Sequence, residues 1–515
     1  MAEEEVLLRI EGLKTYFHTY EGVVRALEGI DIEVRKGETM GLVGETGCGK
    51  SVTALTVMGL IQTPPGKVEA GRVLLGEPSR VTVLRKQYDK MFAKSPNARD
   101  REIEATKKKL ESLKGEENKA ERIELRDRIA ALTYSHDLLT KTSAELNEIR
   151  GARMSMVFQE PMTALNPAYT IGDQIGETLE LHQLEALVDD VLKQLDLEKK
   201  AFEGDKVATK KKEKRDSPAV SGGSFVDKSS EERDVCSLCG TPARDDWGAC
   251  VGCGARLSRD FPAPIRRLFF RIATSYYRSM KENPYNTWAY FVKLTPITRK
   301  LERRLRLAKT MRTEDALKEV KIAEPGRVAR SYPFELSGGM KQRSMIAMMM
   351  SCRPELLIAD EPTTALDVTV EAQILALMKE LQGQRGTSIM LITHDLGVIA
   401  ETCDRVAVMY AGIVAELSST KELFARPLHP YAHALLRSIP KIGSTHMKER
   451  KKPLYVIPGM VPNLLKPPPG CRFHPRCERA LDVCKTVVPP LIEMMPGHSA
   501  ACHNPVPHDE EVAKG

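Results

Sequence analysis

The chain has 515 residues, 29% of them charged, and a formal charge of +7, which is length for about three domains at roughly 150 residues each. No stretch reaches the ~18 uninterrupted apolar residues a bilayer crossing needs, and the acidic start Met1-Ala2-Glu3-Glu4-Glu5 is unlike a signal peptide, so a cytosolic chain is expected. The basic character is regional, because residues 264–309 carry twelve Lys/Arg against two Glu.

In chain order, the first strand-like run of note is Met40-Gly41-Leu42-Val43. It leads into Gly44-Glu45-Thr46-Gly47-Cys48-Gly49-Lys50-Ser51, a complete GxxxxGK[ST] pattern, and Val52 opens a helix-like stretch that runs to Met58. Strand, glycine loop and helix in that order make a phosphate cradle: glycines let successive amides turn inward, and the helix adds its positive end. Lys50 is expected to reach the β/γ-phosphates of ATP or GTP and Ser51 a Mg²⁺ ion.

Between 81 and 147, Ile103, Leu110, Leu113, Ile123, Leu125, Ile129 and Leu132 recur among many Lys and Glu, which predicts a helical hairpin or short coiled coil turning at Gly115 and Asn118. Residues 197–310 form a second insertion that opens with the charged linker Lys206 to Lys214. Cys236 and Cys239, then Cys250 and Cys253, each pair closing on a glycine, read as two zinc knuckles around a structural Zn²⁺, with Trp247 packed against them. A basic stretch follows in which Ile265, Leu268, Phe269 and Ile272 share a helical face and Tyr276, Tyr277, Tyr285 and Trp288 concentrate aromatic rings. Its apolar face either completes a small local core or meets anionic lipid, the loops of a membrane-embedded partner or nucleic acid.

Ser337-Gly338-Gly339 at the start of an apolar helix is a second backbone anion site. Glu355 to Pro362 reads as a short buried strand ending in two carboxylates, Asp360 to hold Mg²⁺ and Glu361 to polarise an attacking water. A second cysteine group, Cys471, Cys477, Cys484 and Cys502, closes the chain with irregular spacing, compatible with four converging thiolates. Cys48, Cys352 and Cys403 read as ordinary buried or loop cysteines.

Leu336-Ser337-Gly338-Gly339-Met340-Lys341-Gln342-Arg343 resembles the signature of ATP-binding cassette ATPases, with Met340 where many members have Gln. Gln159 then resembles the Q-loop residue, Thr364-Ala365-Leu366-Asp367 the D-loop, and His394 the switch histidine. The resemblance implies two cassettes packed head to tail, so that ATP on Lys50 and Ser51 of one is capped by Ser337, Gly338 and Gly339 of the other. It implies Glu361 as general base, Gln159 as a further Mg²⁺ contact, and His394 as a sensor of the γ-phosphate. It also implies an aromatic ring on the adenine, for which Tyr20 is favoured over Tyr16 and Phe17.

Pro161 to Pro167, Pro430 to Pro440, Ile457-Pro458-Gly459 and Gly470-Cys471-Arg472-Phe473-His474-Pro475-Arg476-Cys477 are similar to segments of oligopeptide, dipeptide and nickel importer ATPases. In relatives that keep all four tail cysteines the tail holds a [4Fe–4S] cluster, with a structural or redox-sensing role and no part in hydrolysis; zinc and free thiols are the alternatives here, and His474 and His498 are possible substitute ligands.

The expected fold is therefore α/β: a P-loop cassette with a RecA-like core, antiparallel β and helical subdomains, two insertions and a cysteine-containing extension. The boundaries are 1–80 (first part of the cassette), 81–147 (helical insertion), 148–196 (Q-loop and start of the helical subdomain), 197–310 (insertion with a zinc ribbon at 236–254), 311–425 (signature, carboxylate strand, switch histidine) and 426–515 (C-terminal domain). The implied activity is ATP hydrolysis coupled to peptide import, at the cytoplasmic face of a membrane. The implied partners are a second, non-identical cassette, two transmembrane permease subunits and an extracellular binding protein, without nucleic acid; the rival is a DNA-acting cassette ATPase with a zinc module.

Overall fold

The structure is a computed structural model that describes residues 5–92, 96–112, 119–133, 135–159, 164–213, 263–282, 296–363, 367–439 and 455–507. The D-loop residues Thr364 to Leu366, Leu113 and the expected turn at Gly115 and Asn118, the cysteines Cys236, Cys239, Cys250 and Cys253 with Trp247, and Tyr285 and Trp288 lie outside the described residues.

Four apolar runs form the strands β3 (Thr39–Val43), β5 (Met154–Val157), β6 (Leu356–Asp360) and β7 (Ser388–Ile392), and every residue in them is buried. Continuous apolar strands suit a parallel sheet covered on both faces. They pair in parallel with one another and with β8 (Arg405–Tyr410) in the order β8-β3-β7-β6-β5. Antiparallel strands extend the other edge: β9 (Ile413–Ser419), then β11 (His498–Ala500) and β10 (Ile492–Met495), so the C-terminal extension contributes two strands to the main sheet.

A second sheet has the order β2-β1-β4, with β1 Val6–Thr19, β2 Gly22–Arg35 and β4 Gly66–Leu75, all antiparallel. Its inward residues Leu8, Ile10, Leu13, Leu27, Ile30, Ile32 and Val73 join Leu42, Met156, Ile358 and Met390 of the main sheet in one core.

The segment after β4 is helical, as expected, but has three helices instead of two: α1 of the insertion begins at Ser79 and ends at Phe92, followed by Pro96–Ser112 and Lys119–Thr133. The extra helix starts before the expected boundary. It is pinned by Arg85, whose side chain is 1% exposed. Arg85 donates to Glu77 at 2.9 and 3.2 Å and to Glu11 of β1 at 3.0 and 2.9 Å. Val81, Tyr88, Ala131 and Leu132 form a small core beneath it.

Residues 166–337 form a separate compact unit. It takes in what the sequence boundaries divide among 148–196, 197–310 and the start of 311–425. Ile171–His182, Leu184–Glu213, Ala263–Glu282, Pro296–Glu319 and Pro325–Arg330 are its helices. Leu187, Val188, Val191 and Leu195 are buried at helical spacing, as are Ala273, Tyr276 and Tyr277 on the basic helix, which packs against Leu184–Glu213. Those two tyrosines, read as part of a face with several possible partners, therefore lie in this unit's own core, whereas Leu268 remains exposed.

Candidate nucleotide site

The loop between β3 and the helix Lys50–Val57 is shaped by Gly44, Gly47 and Gly49, all with positive φ. At Gly49 (φ +105°) a Cβ would stand 2.7 Å from Leu27 Cδ2 and 2.9 Å from Ala26 O, so both the backbone conformation and the packing require glycine there. Lys50 is buried, and its ammonium donates to Gly44 O at 2.7 Å and to Glu45 O at 3.4 Å. Its reach spans the mouth of the loop, where phosphate oxygens are the stronger acceptors.

The hydroxyl of Ser51 donates to Asp360 Oδ1 at 3.2 Å, which joins the loop to the end of β6. These two oxygens fit a hard cation that prefers oxygen ligands, as Mg²⁺ does. Burial, reinforced by the neighbouring Glu361 charge, raises the Asp360 pKa above its ordinary value, against the lowering effect of Ser51 and Lys50. A buried carboxylate with that bias is stabilised in its charged form by a cation.

Glu361 follows at φ +45°, an uncommon conformation for a residue with a side chain, and its amide donates to Ile392 O at 2.9 Å. One carboxylate oxygen accepts from Gln159 Nε2 at 2.8 Å and the other lies 3.3 Å from His394 Nδ1. Gln159 comes from the end of β5, Glu361 from β6 and His394 from β7, all on adjacent parallel strands. The carboxyl ends of such strands are where α/β sheets place their ligands. Lys50, Ser51, Gln159, Asp360, Glu361 and His394, far apart in the chain, are thus gathered at one edge.

Ser337 and Gly338 are exposed and Gly339 is half-buried at the start of the helix Gly338–Met350. Within that helix, Gln342 is fully buried and donates to Pro362 O, tying the signature helix to the turn after Glu361. Asp367 stands at the N-cap position of the helix Val368–Arg385. Tyr20 is fully exposed at the two-residue turn between β1 and β2, whereas Tyr16 is tied to Glu28 at 2.7 Å.

Sequence reasoning missed three residues here: Gln342, Tyr431 and Arg476. The last two belong to the C-terminal extension yet reach the phosphate loop at Glu45. Both stood in motifs already recognised, Pro430 to Pro440 and Gly470 to Cys477, but nothing local says what they touch.

In the extension, Cys471 and Cys484 are buried and Cys477 and Cys502 half-buried, all four as free thiols. Burial raises the Cys471 and Cys477 thiols and pushes Cys502 up to about 12, with each further opposed by the charge of others in the group. Backbone amides face three sulfurs: Phe473 and His474 toward Cys471, Arg479 toward Cys477, and Asn504 toward Cys502 at 3.3 Å. The four are neighbours, yet among the described residues no three His, Cys, Asp or Glu side chains are gathered closely enough to hold a metal ion. His498 is not a substitute ligand: it is 1% exposed and its Nε2 lies 2.6 Å from the buried Glu416 carboxylate. His474 turns its Nδ1 to Cys471 O at 2.8 Å. Cys48, Cys352 and Cys403 are buried, as expected of ordinary core cysteines.

The chain matches the model of the ABC transporter family over residues 27–224 and 268–364, and that of the oligopeptide/dipeptide transporter C-terminal region over residues 415–484. The probable peptide ABC transporter ATP-binding protein y4tR of Sinorhizobium fredii is 32% identical over 97% of this chain and 95% of its own length. The oligopeptide transport ATP-binding protein AppD of Bacillus subtilis is 32% identical over 96% of each, and the dipeptide transport ATP-binding protein DppD of the same organism 31% identical over 97% of this chain and 94% of its own. The chain belongs to the ABC transporter family, as an ATP-binding protein that carries the oligopeptide/dipeptide transporter C-terminal region.

Proposed function

We propose that this chain is the ATP-hydrolysing subunit of an importer for di- or oligopeptides. The observation that carries the reading is the pairing, in one chain, of the gathered Lys50–Asp360–Glu361 site with an extension of the oligopeptide/dipeptide type. The DNA-acting alternative has no comparable support.

Lys50 and the amides of Gly44–Ser51 bind the phosphates, and Val52 continues the helix whose positive end faces them. Ser51, Asp360 and Gln159 are the residues that would hold Mg²⁺, which when bound neutralises phosphate charge. Glu361 takes the proton of the attacking water, Gln159 and His394 fixing its two oxygens. Ser337 and Gly338, which are exposed, and the half-buried Gly339 serve the nucleotide of a second, non-identical cassette, and Tyr20 supplies the adenine ring's stacking partner.

Among the described residues no helix is long and apolar enough to cross a membrane. In keeping with the match to the oligopeptide/dipeptide transporter region, two transmembrane permease subunits carry the translocation path, an extracellular binding protein delivers the cargo, and this chain sits peripherally at the cytoplasmic face. Cys471, Cys477, Cys484 and Cys502 are the residues that would hold a [4Fe–4S] cluster, with zinc as the alternative, once drawn closer together than they lie here; amides aimed at three of the sulfurs suit either set of thiolates. Cys236, Cys239, Cys250 and Cys253 would hold zinc through four thiolates.

The test is reconstitution: with its partner subunits in vesicles, the chain should support ATP-dependent uptake of small peptides. Salt-dependent binding to duplex DNA, without association with membrane subunits, would reverse the assignment. Elemental analysis with an absorption spectrum decides the tail, and a colourless protein containing only zinc rejects the iron–sulfur assignment.

A further inference from the structure

Glycines permit the phosphate loop its shape without fixing where it rests. Glu45, the second residue of that loop, is held at three atoms by the C-terminal extension. Its amide donates to the Tyr431 hydroxyl at 3.0 Å, and its two carboxylate oxygens accept from the Arg476 guanidinium at 2.7 and 3.1 Å. The guanidinium side chain is 5% exposed and is fixed in turn, with Nε donating to Pro458 O at 2.9 Å and Nη1 to the Tyr410 hydroxyl at 3.2 Å. Tyr431 is fully buried against Tyr410 and Phe473, at ring-centroid distances of 4.6 and 5.3 Å. Arg476 lies in the short helical turn His474–Arg476, immediately before Cys477 and in the loop that Cys471 opens.

We propose that Arg476 and Tyr431 are positioning residues of the nucleotide site that act through Glu45, so that the folded cysteine-bearing extension sets the nucleotide affinity of the phosphate loop in its own chain. A forked guanidinium–carboxylate pair fixes the acceptor's plane as well as its distance, which a point charge cannot do. The Tyr431 hydroxyl fixes the amide of the same residue, so Glu45 can neither turn nor slide. The donors that face the phosphates follow at once in the chain, up to Ser51, and take their starting point from this anchor. Directional sites tolerate little displacement, and about 1 Å is enough to cost function. The extension and the nucleotide loop are thereby one mechanical unit, and whatever loosens the Cys471–Cys477 loop loosens phosphate binding with it. This rests on the reading of Gly44–Ser51 as the nucleotide loop.

The experiment is an equilibrium titration of the purified full-length chain with a fluorescent ATP analogue and Mg²⁺, alongside a thermal melt of each variant. Arg476→Ala is expected to raise Kd about tenfold, the loss of one charge-assisted pair. Arg476→Lys should recover part of that loss, and Tyr431→Phe should raise Kd about threefold. Glu45→Ala should match Arg476→Ala, and the double variant should lose no more than either alone, because both remove the same strut. A Kd within twofold of wild type for folded Arg476→Ala, or full additivity in the double variant, overturns the proposal. Should Arg476→Ala unfold the extension, Glu45→Ala, which leaves the extension's own packing intact, decides in its place by the same twofold criterion. If wild type and Lys50→Ala bind equally, the nucleotide reading itself has failed.

Discussion

Replacing Glu361 with glutamine isolates the proton-accepting role from the shape of the site. The carboxylate accepts from Gln159 at 2.8 Å and lies 3.3 Å from His394. An amide oxygen can still accept from Gln159, and the side chain keeps its volume, so the neighbours stay in place while the base is lost. Losing a positioned general base costs about 10²- to 10⁴-fold in turnover, or about 2.7–5.4 kcal/mol of transition-state stabilisation. Binding should barely change, because Lys50, Ser51 and the loop amides are untouched. The Glu361 charge also helps raise the Asp360 pKa, so its removal favours the charged form of the neighbour that faces the cation. We therefore expect Glu361→Gln to release phosphate at least about a hundredfold more slowly in the assembled complex, with nucleotide Kd shifted by less than about threefold. Steady-state phosphate release at saturating nucleotide, paired with equilibrium binding, makes the measurement. Turnover within twofold of wild type would refute the assignment, as would a loss traced wholly to weaker binding.

Three further outcomes follow from the geometry. Gly49→Ala places a side chain at φ +105° against Leu27 and Ala26 O and should cost about 1–3 kcal/mol of local strain, read as a lower melting temperature together with weakened nucleotide binding. Arg85→Met leaves the Glu77 carboxylate buried without its cationic partner, with only the Thr82 hydroxyl still donating to it, and should destabilise the chain by about 3–5 kcal/mol in denaturant titration, with Glu77→Gln restoring part of the loss. Burial depresses His429 to about 4, so the unfolded chain binds its proton more readily than the folded one. The stability it allows is intact above about 6.5, falls as pH drops toward 4, and is lower by about 3 kcal/mol beyond that; His429→Gln should flatten that part of a stability profile measured by chemical denaturation.

What the sequence makes legible and what it hides differ by range. The phosphate loop, the carboxylate strand and the signature are local: each places its chemistry within a few residues, so spacing alone reveals Lys50, Ser51, Asp360 and Glu361. Their mutual geometry was recoverable as well, because short apolar runs such as Leu356 to Ala359, each ending at a polar residue, suit a parallel sheet covered on both faces, whose strand ends converge. The additional insertion helix, Ser79–Phe92, was hidden for the opposite reason. Its anchor is a charged residue, Arg85, which a polarity pattern assigns to solvent, and its partners Glu11 and Glu77 both lie before the expected boundary at 80, whereas Arg85 lies beyond it. The contact of Glu45 with Arg476 spans 431 residues and involves a glutamate that is unremarked within a glycine loop and an arginine that reads as one more tail charge. Partners at such separation are chosen by topology: β9, β11 and the helix Pro430–Arg437 carry the chain back beside β8 and the loop it faces. The cysteine-bearing extension, which the sequence set apart from hydrolysis, is for that reason the part of the molecule whose placement most changes how the nucleotide loop is understood.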